Sequence, residues 1–149
     1  MLVRDWMSGK VIHVKPRDSV MHAREVLEEH RIRQLPVAVA GKLVGIITDR
    51  DLRDAFPSVF DERFHGQRAP KDWTDPDALQ VETVMSPAVL TVAPRDTLHG
   101  AAQRMIDERI GAVPVVDEDG ILCGILTRSD VLKAFVSLCD TFASMRKKE

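Results

Sequence analysis

The sequence has no long hydrophobic run, no excess of basic residues and only two cysteines. No apolar stretch approaches the roughly 18 to 20 residues that a membrane-spanning helix needs, so we expect no membrane partner. The first residues meet a charge at once and lack the apolar region typical of a secretory signal. The net charge of −2 differs from the basic excess of nucleic-acid-binding surfaces, so we also expect no nucleic-acid partner.

Motifs of catalysis are lacking as well. The five histidines form no H-E-x-x-H or comparable metal-binding spacing. There is no Gly-x-Ser-x-Gly elbow and no phosphate-binding loop of the Walker type. Cys123 and Cys139 show no CxxC spacing, which favours reduced thiols in a cytoplasmic protein over a disulfide framework. We therefore expect a cytoplasmic protein that is not an enzyme, with no catalytic residue and no metal ligand.

The strongest positive signal is an internal repeat. The chain of 149 residues is 44% hydrophobic and 30% charged, as is usual for a globular protein. When residues 3–56 are aligned with residues 81–135, with a slip of one residue near Gly41, 21 of 54 positions are identical. Chance would give about three identities at ordinary residue frequencies. The sequence therefore contains a duplication.

Each copy has the pattern of a β-α-β-β-α unit. A short strand around Val11 and Val14 ends at Pro16, and Ser19 or Thr97 can cap the helix that follows. A second helix is predicted to open at Asp51 or Asp130. Between the helices, each copy has two apolar strands joined by a tight glycine turn. The predicted strands are Leu35–Val39, Leu43–Thr48, Val113–Val116 and Ile121–Thr127.

These units predict an α/β (α+β) fold of two β-α-β-β-α repeats, packed sheet to sheet about a pseudo-twofold axis. The predicted boundaries are 1–56 for the first repeat, 57–80 for a linker, 81–137 for the second repeat and 138–149 for a C-terminal helical tail. The linker is long for a connection within a domain, so it is either a functional loop or a tether. Its aromatic residues are interpreted as packing on the nearest repeat, or alternatively as a partner contact or a lid: Phe60, Phe64 and Trp73.

Both copies carry the same motif, a Leu/Val-Pro-Val strand followed by Gly-Ile-hydrophobic-Thr-x-x-Asp. It occupies residues 33–37 with 45–51, and residues 111–115 with 124–130. Two such motifs in register resemble a tandem CBS-domain pair, also called a Bateman module. The opening residues 1–7 and the run 48–53 are also similar to stand-alone CBS pairs of the acetoin-utilisation-protein type.

The Thr-x-x-Asp at each strand-to-helix junction admits two interpretations. It places a hydroxyl and a carboxylate beside the first helical turn, where the carboxylate can accept hydrogen bonds from a ribose cis-diol. The amino terminus of the helix, with its free N–H groups, suits a phosphate. The same spacing is also a capping box, which begins a helix without any ligand. The two interpretations are compatible, and both stay open.

The resemblance implies two clefts, each with residues from both copies. Site A would comprise Ile46, Thr48, Arg50, Asp51, Pro87, Ala88, Val89, Gly111 and Ala112. Site B would comprise Gly9, Lys10, Val11, Arg33, Gln34, Ile125, Thr127, Ser129 and Asp130. The aspartates would bind the ribose, and the threonines would contact the phosphate or the sugar. The isoleucines would pack against the base. Site B is expected to be crowded and cationic, and site A more open.

The resemblance also implies a regulatory function. The ligand would be an adenosine compound, namely AMP, ADP, ATP or S-adenosylmethionine, with Mg²⁺ possible beside ATP and no cofactor required. The protein would form a homodimer through its CBS helices and signal to an effector protein that the sequence does not identify. The alternative is a dimerisation or interaction scaffold whose vestigial clefts are filled by its own side chains, namely Arg33, Gln34 or Lys10.

Overall fold

The structure is a computed structural model that describes residues 1–55, 78–87 and 89–146. The chain forms two compact units. Unit A is Ile12–Val89, and unit B combines Met1–Val11 with Leu90–Glu149. The residues 56–77, which include Phe60, Phe64 and Trp73 of the predicted linker, lie outside the described part of the chain, as does Ala88.

In its described residues, unit A pairs a small sheet with three helices. Strands β1 and β2 are antiparallel, with Gln34 opposite Thr48, so the sheet ends where the second helix begins. The elements in chain order are α1 (Val20–His30), β1 (Gln34–Val39), β2 (Lys42–Thr48), α2 (Asp49–Ala55) and α3 (Val81–Val84).

Unit B repeats this arrangement with a short 3-10 helix in the place of α3. Its strands are also antiparallel, with Ala112 opposite Thr127. The elements are the 3-10 helix (Val3–Asp5), α4 (Leu98–Asp107), β3 (Ala112–Val116), β4 (Leu122–Thr127) and α5 (Arg128–Arg146). The predicted fold class is therefore confirmed: two small antiparallel sheets and their helices make a mixed α/β structure. None of the described helices combines the length and apolarity needed to cross a bilayer.

The predicted caps of the first helix in each copy are confirmed. The Ser19 hydroxyl accepts a hydrogen bond of 3.0 Å from the His22 N–H at the start of α1. The Thr97 hydroxyl accepts a bond of 3.1 Å from the Gly100 N–H at the start of α4. Each satisfies one of the N–H groups that a helix start leaves without a partner.

Two details of the predicted elements were wrong. The strand expected around Val14 is a single parallel bridge to Val37, and its counterpart is a bridge between Val92 and Val115. Prolines limit this pairing: Val14 N–H donates to Pro36 O (3.1 Å) and Ala38 N–H donates to Val14 O (3.0 Å), but Pro36 has no N–H with which to extend the ladder further. In addition, α2 and α5 begin two residues earlier than predicted, because the threonine before each helix is its cap.

The N-terminal segment of each repeat belongs to the core of the other compact unit. Val3, in the first repeat, is fully buried in the core of unit B, and its N–H donates to Asp96 O (2.9 Å). Val81, at the start of the second repeat, is fully buried in the core of unit A, and its N–H donates to Asp18 O (2.9 Å). Compact units and sequence repeats are thus different divisions of the chain.

Candidate functional site

In unit A, the junction between β2 and α2 is a reciprocal capping box. The Thr48 N–H donates to Asp51 Oδ2 at 2.9 Å, and the Asp51 N–H donates to Thr48 Oγ1 at 3.1 Å. Thr48 and Asp51 are both half-buried, so these two bonds are partly shielded from solvent. The other carboxylate oxygen, Asp51 Oδ1, has no hydrogen bond or ion pair with the described residues. It remains an acceptor.

The junction between β4 and α5 in unit B has the same design with one more bond. The Thr127 N–H and the Thr127 hydroxyl both donate to Asp130 Oδ2, at 2.9 and 2.6 Å. The Asp130 side chain is only 14% exposed, and Oδ1 lies 3.5 Å from the ammonium group of Lys133. Lys133 is 72% exposed, so this ion pair is weakened by solvent. Both junctions thus cap a helix with one carboxylate oxygen and leave the second oxygen for another donor.

The helix starts offer fewer free N–H groups than the sequence suggested. The Asp49 N–H at the start of α2 donates to Arg33 O (3.1 Å). The Arg128 N–H at the start of α5 donates to Gly111 O (3.0 Å). With the N–H of each aspartate also bonded to its threonine, the first turns have little left for a phosphate. Side chains such as the 81% exposed Arg50 are the remaining cationic donors in unit A.

A repeated Met-Ser segment crosses each sheet next to the junction. In unit A, Ser86 and Ile46 exchange two backbone hydrogen bonds of 3.0 and 2.9 Å. In unit B, Ser8 and Ile125 exchange two bonds of 3.0 Å. These contacts hold Ser86 and Ser8 beside the strands that lead to Thr48 and Thr127.

The residues predicted for the two sites are distributed as follows. Unit A contains the members Ile46, Thr48, Arg50, Asp51, Pro87 and Val89 of site A, and Arg33 and Gln34 of site B. Unit B contains Gly9, Lys10, Val11, Ile125, Thr127, Ser129 and Asp130 of site B, and Gly111 and Ala112 of site A. Ala88 of site A lies outside the described residues. The grouping of residues from different units into one cleft stays a prediction.

The role of two glycines was not predicted from the sequence, although both copies contain them. A Cβ on Gly45 would lie 2.5 Å from Met85 Sδ and 3.1 Å from the backbone oxygen of Ser86. A Cβ on Gly124 would meet Met7 Sδ and Ser8 O at the same two distances. The glycines thus allow the Met-Ser segment to lie against the sheet, and the repeated Met-Ser and Gly-Ile dipeptides were the available signal.

We expect Gly124→Ala to lower the free energy of unfolding by about 1–3 kcal/mol, because the added methyl group overpacks a close backbone crossing. The Met7 side chain can move, but the Ser8 carbonyl is held by its bond to Ile125. Urea unfolding followed by circular dichroism measures the change. Gly120→Ala is unsuitable as a control, because Gly120 has a φ of 78°, which strains an alanine. Ala102→Gly on helix α4 is the control instead: its change in the free energy of unfolding gives the size of a simple alanine-to-glycine backbone effect. A Gly124→Ala variant as stable as the wild type would contradict this account of the crossing.

The thiol of Cys123 has the properties of a packing group. Its Sγ donates to Val115 O at 3.3 Å within the sheet of unit B. Burial raises the pKa of Cys123, and the negative charge of Asp117 raises it further, so the nucleophilic thiolate is disfavoured. Among the described residues, no group of three acidic, histidine or cysteine side chains is placed to hold a metal ion.

Each copy of the duplicated unit matches the model of a known protein family. The model of the CBS domain matches residues 3–58 and residues 81–137. The predicted resemblance to a tandem CBS pair is therefore confirmed, and together the two matches cover most of the chain.

Solved structures of similar fold include proteins with bound adenosine compounds. CBSX2, a CBS-pair protein from Arabidopsis thaliana, was solved in complex with AMP; it is 31% identical with a TM-score of 0.75, and 92% of this chain matches 97% of that one. The CBS domain pair of protein MJ0100 was solved with 5′-methylthioadenosine and S-adenosylmethionine; it is 29% identical with a TM-score of 0.72, covering 92% and 97% of the two chains.

A third neighbour matches the narrower resemblance that the sequence suggested. It is a putative acetoin utilization protein (AcuB) from Vibrio cholerae, 27% identical with a TM-score of 0.73, covering 100% of this chain and 97% of that one. Curated relatives include longer proteins: the chain is 37% identical to 121 residues of inosine-5′-monophosphate dehydrogenase from Korarchaeum cryptofilum, but spans 21% of its length. It spans 47% and 59% of the next two relatives.

Proposed function

The chain belongs to the CBS-domain family as a tandem pair of repeats, and on this premise we propose that it is a non-enzymatic regulatory module for adenosine-containing ligands. The candidate ligands are AMP, ADP, ATP and S-adenosylmethionine, with Mg²⁺ accompanying ATP alone. The ligands in the complexes of CBSX2 and MJ0100 support this choice, because all of them contain an adenosine group. Both cysteines are free thiols, as a cytoplasmic setting would require.

The observation that carries this proposal is the duplicated carboxylate. Asp51 and Asp130 are each held in one geometry by a threonine, and each keeps Oδ1 outside the capping box. A carboxylate oxygen has two lone pairs and can accept the hydroxyl groups of a ribose. Because the capping bonds already hold the side chain, binding does not require it to be ordered again, which favours affinity.

The remaining members of sites A and B are proposed to complete each cleft. Ile46 and Ile125 lie at the backbone crossings with Ser86 and Ser8, and they would pack on the adenine ring. Thr48 and Thr127 already donate or accept within the capping box, so their contacts to the ligand would be secondary. Arg50 in site A, and Lys10 and Arg33 in site B, would interact with a phosphate group.

Regulation requires that the ligand bind one arrangement of the protein better than another. We propose that the protein acts as a homodimer formed through its CBS helices, and that ligand binding changes what the dimer presents to an effector protein. The effector is unknown.

Isothermal calorimetry with AMP, ADP, ATP and S-adenosylmethionine, with and without Mg²⁺ for ATP, tests the proposal. We expect a binding heat for at least one of them and a higher melting temperature in its presence, because a ligand of the folded state stabilises it. Native mass spectrometry of freshly purified protein would identify a ligand carried through purification. Inosine and guanosine monophosphates are the controls for the adenine ring. No heat and no thermal shift with any adenosine compound would contradict the proposal.

The scaffold alternative has one observation in its favour. The capping boxes at Asp51 and Asp130 account for both aspartates without any ligand. This alternative predicts that the protein dimerises while every adenosine compound fails to bind.

A further inference from the structure

We infer that unit A has a second binding site, a pocket at the turn end of its sheet that takes a carboxylate side chain of a partner protein, with Lys15 and Arg17 as its cations. The inference rests on the proposed function in one respect, the existence of an effector protein, and gives a place where an acidic segment of that protein docks. The pocket has a volume of about 490 Å³, which is usual for a binding site. Besides the two cations it is lined by Pro16, Ala38, Val39, Ala40 and Glu82.

The pocket lies away from the residues proposed to bind the adenosine compound. Strand β1 starts at Gln34, opposite Thr48 and its capping box, and ends at Val39, which lines the pocket. A strand of this length places its two ends roughly 17 Å apart. No residue of the lining belongs to site A or site B, so one site can be changed without the other.

The backbone turn beside the pocket has the same hydrogen bond in both units. In unit A, the Lys15 N–H donates to Asp18 Oδ2 at 2.8 Å. In unit B, the N–H of Ala93, which is equivalent to Lys15 in the repeat, donates to Asp96 Oδ2 at 2.9 Å. Because the backbone is equivalent, the side chains of the two units can be compared position by position.

In unit B, the arginine of this turn has a carboxylate partner within the unit. Arg95 Nη2 lies 3.4 Å from Glu118 Oε1. Glu118 belongs to the turn between β3 and β4, residues 117–120, which is one residue longer than its counterpart in unit A. Both side chains are more than 80% exposed, so solvent weakens the ion pair. The pair nevertheless shows that a carboxylate at this position reaches the arginine.

In unit A, the equivalent arginine, Arg17, lacks this partner. Ala40 takes the place of Glu118 in the shorter turn between β1 and β2. Lys15 adds a second cation, where unit B has an alanine. Lys15 and Arg17 are both exposed, and neither makes an ion pair with the described residues. Unit A thus has two cations and the space for a carboxylate, whereas unit B provides the carboxylate itself.

The lining favours the carboxylate of a peptide over a phosphate or a nucleic acid. Glu82 lines the same pocket and would repel a dianion or a row of phosphates, whereas a single carboxylate can face the cations alone. Val39 is 50% exposed at the pocket, and covering it with an apolar side chain is favourable. A protein segment with an acidic residue next to an apolar one meets both conditions.

A second copy of this chain is a poor occupant of the pocket. The carboxylate that fills the equivalent position in unit B, Glu118, is already paired with Arg95. Exchanging one exposed ion pair for another contributes little free energy, because both are solvated. The occupant is therefore an acidic segment of a different protein.

Nuclear magnetic resonance of the isotope-labelled full chain tests the pocket with a defined acidic peptide. The probe is Val-Val-Asp-Glu-Asp-Gly-Ile, the sequence of residues 115–121, which joins carboxylates to apolar side chains. With millimolar peptide, we expect amide shifts at Lys15, Arg17, Val39 and Ala40. Two reference probes are inorganic phosphate and the same peptide with Asn and Gln in place of its acids. Both should bind at least about 10-fold more weakly, since the amide peptide lacks the charge and phosphate lacks the apolar contact.

Two variants should remove the site by different routes. Arg17→Glu removes a cation, and Ala40→Glu gives unit A the carboxylate that unit B has, so that the site is filled from within. Each should raise the dissociation constant of the peptide at least about 10-fold, because a hydrogen bond between charged groups is lost. Both residues are exposed, so the fold should be retained, and circular dichroism checks this. Arg95→Glu is the matched control in unit B and should leave the peptide affinity unchanged.

The inference would be overturned by a lack of shifts at the pocket, or by phosphate or the amide peptide binding as tightly as the acidic peptide. Unchanged affinity in either variant, or an equal loss in the control, would also overturn it. Calorimetry with the adenosine compounds reports the proposed function separately, because Arg17 lies outside sites A and B. A chain that binds the peptide but no adenosine compound would overturn only the ligand proposal, and the reverse result would overturn only this inference.

Discussion

Asp51→Asn and Asp130→Asn should each weaken ligand binding at their own site by about 10- to 100-fold while the protein stays folded. Asparagine keeps an oxygen that can accept the threonine N–H, so most of the capping box survives. It loses the negative charge, and a hydrogen bond to a charged group contributes about 1.5–3 kcal/mol. The stability should change by about 1 kcal/mol or less, which is the contribution of a charge near a helix start.

The corresponding alanine variants separate capping from binding. Asp51→Ala also removes the acceptor for the Thr48 N–H, so the free energy of unfolding should fall by about 1 kcal/mol relative to the asparagine variant. Asp140→Asn is the control, because it makes the same charge change at an exposed residue of α5 outside the junction. Calorimetry and urea unfolding give the two quantities. Asparagine variants that bind as tightly as the wild type would show that the aspartates only cap helices.

Val3→Asp should destabilise unit B by at least about 3 kcal/mol. The fully buried side chain of valine would be replaced by a carboxylate whose charge has no partner in the core. Hydrogen exchange measures where the loss occurs. We expect faster exchange in α4 and β3, whose residues Leu98 and Val113 share the core with Val3. If the effect instead followed the sequence repeat to which Val3 belongs, hydrogen exchange would become faster in α1.

Val81→Asp is the matched control for this experiment. Val81 is the equivalent residue of the second repeat and is fully buried in the core of unit A. Its substitution should speed exchange in α1 and β1. If Val3→Asp affected unit A, or if Val81→Asp affected unit B, the assignment of the two N-terminal segments to the compact units would be wrong.

Much of this structure follows from local chemistry and could be predicted. Ser19 and Thr97 cap helices because a hydroxyl before an amphipathic segment can accept a free N–H. The paired strands follow from apolar runs on both sides of a glycine turn. The Thr-x-x-Asp motif predicted both a cap and a binding carboxylate, since each depends on residues only three positions apart.

Other features depend on residues that are distant in sequence. The strand at Val14 is a single bridge because Pro36, on the neighbouring strand, has no N–H to donate. Gly45 is required by the position of Met85, forty residues later in the chain. Likewise, the free N–H groups expected at the start of α2 are reduced because the Arg33 carbonyl lies next to Asp49.

The sequence by itself determined the duplication, the order of the paired strands and of the longer helices, and the caps, because these depend on periodicity and on neighbours within a few residues. Only the tertiary structure decided which core receives Val3 and which receives Val81, since both repeats have the same pattern and either pairing would bury a valine. It also decided how equivalent helices differ at the surface: Arg24 of α1 pairs with Glu28 at 2.8 Å, whereas Ile106 of α4 is 69% exposed.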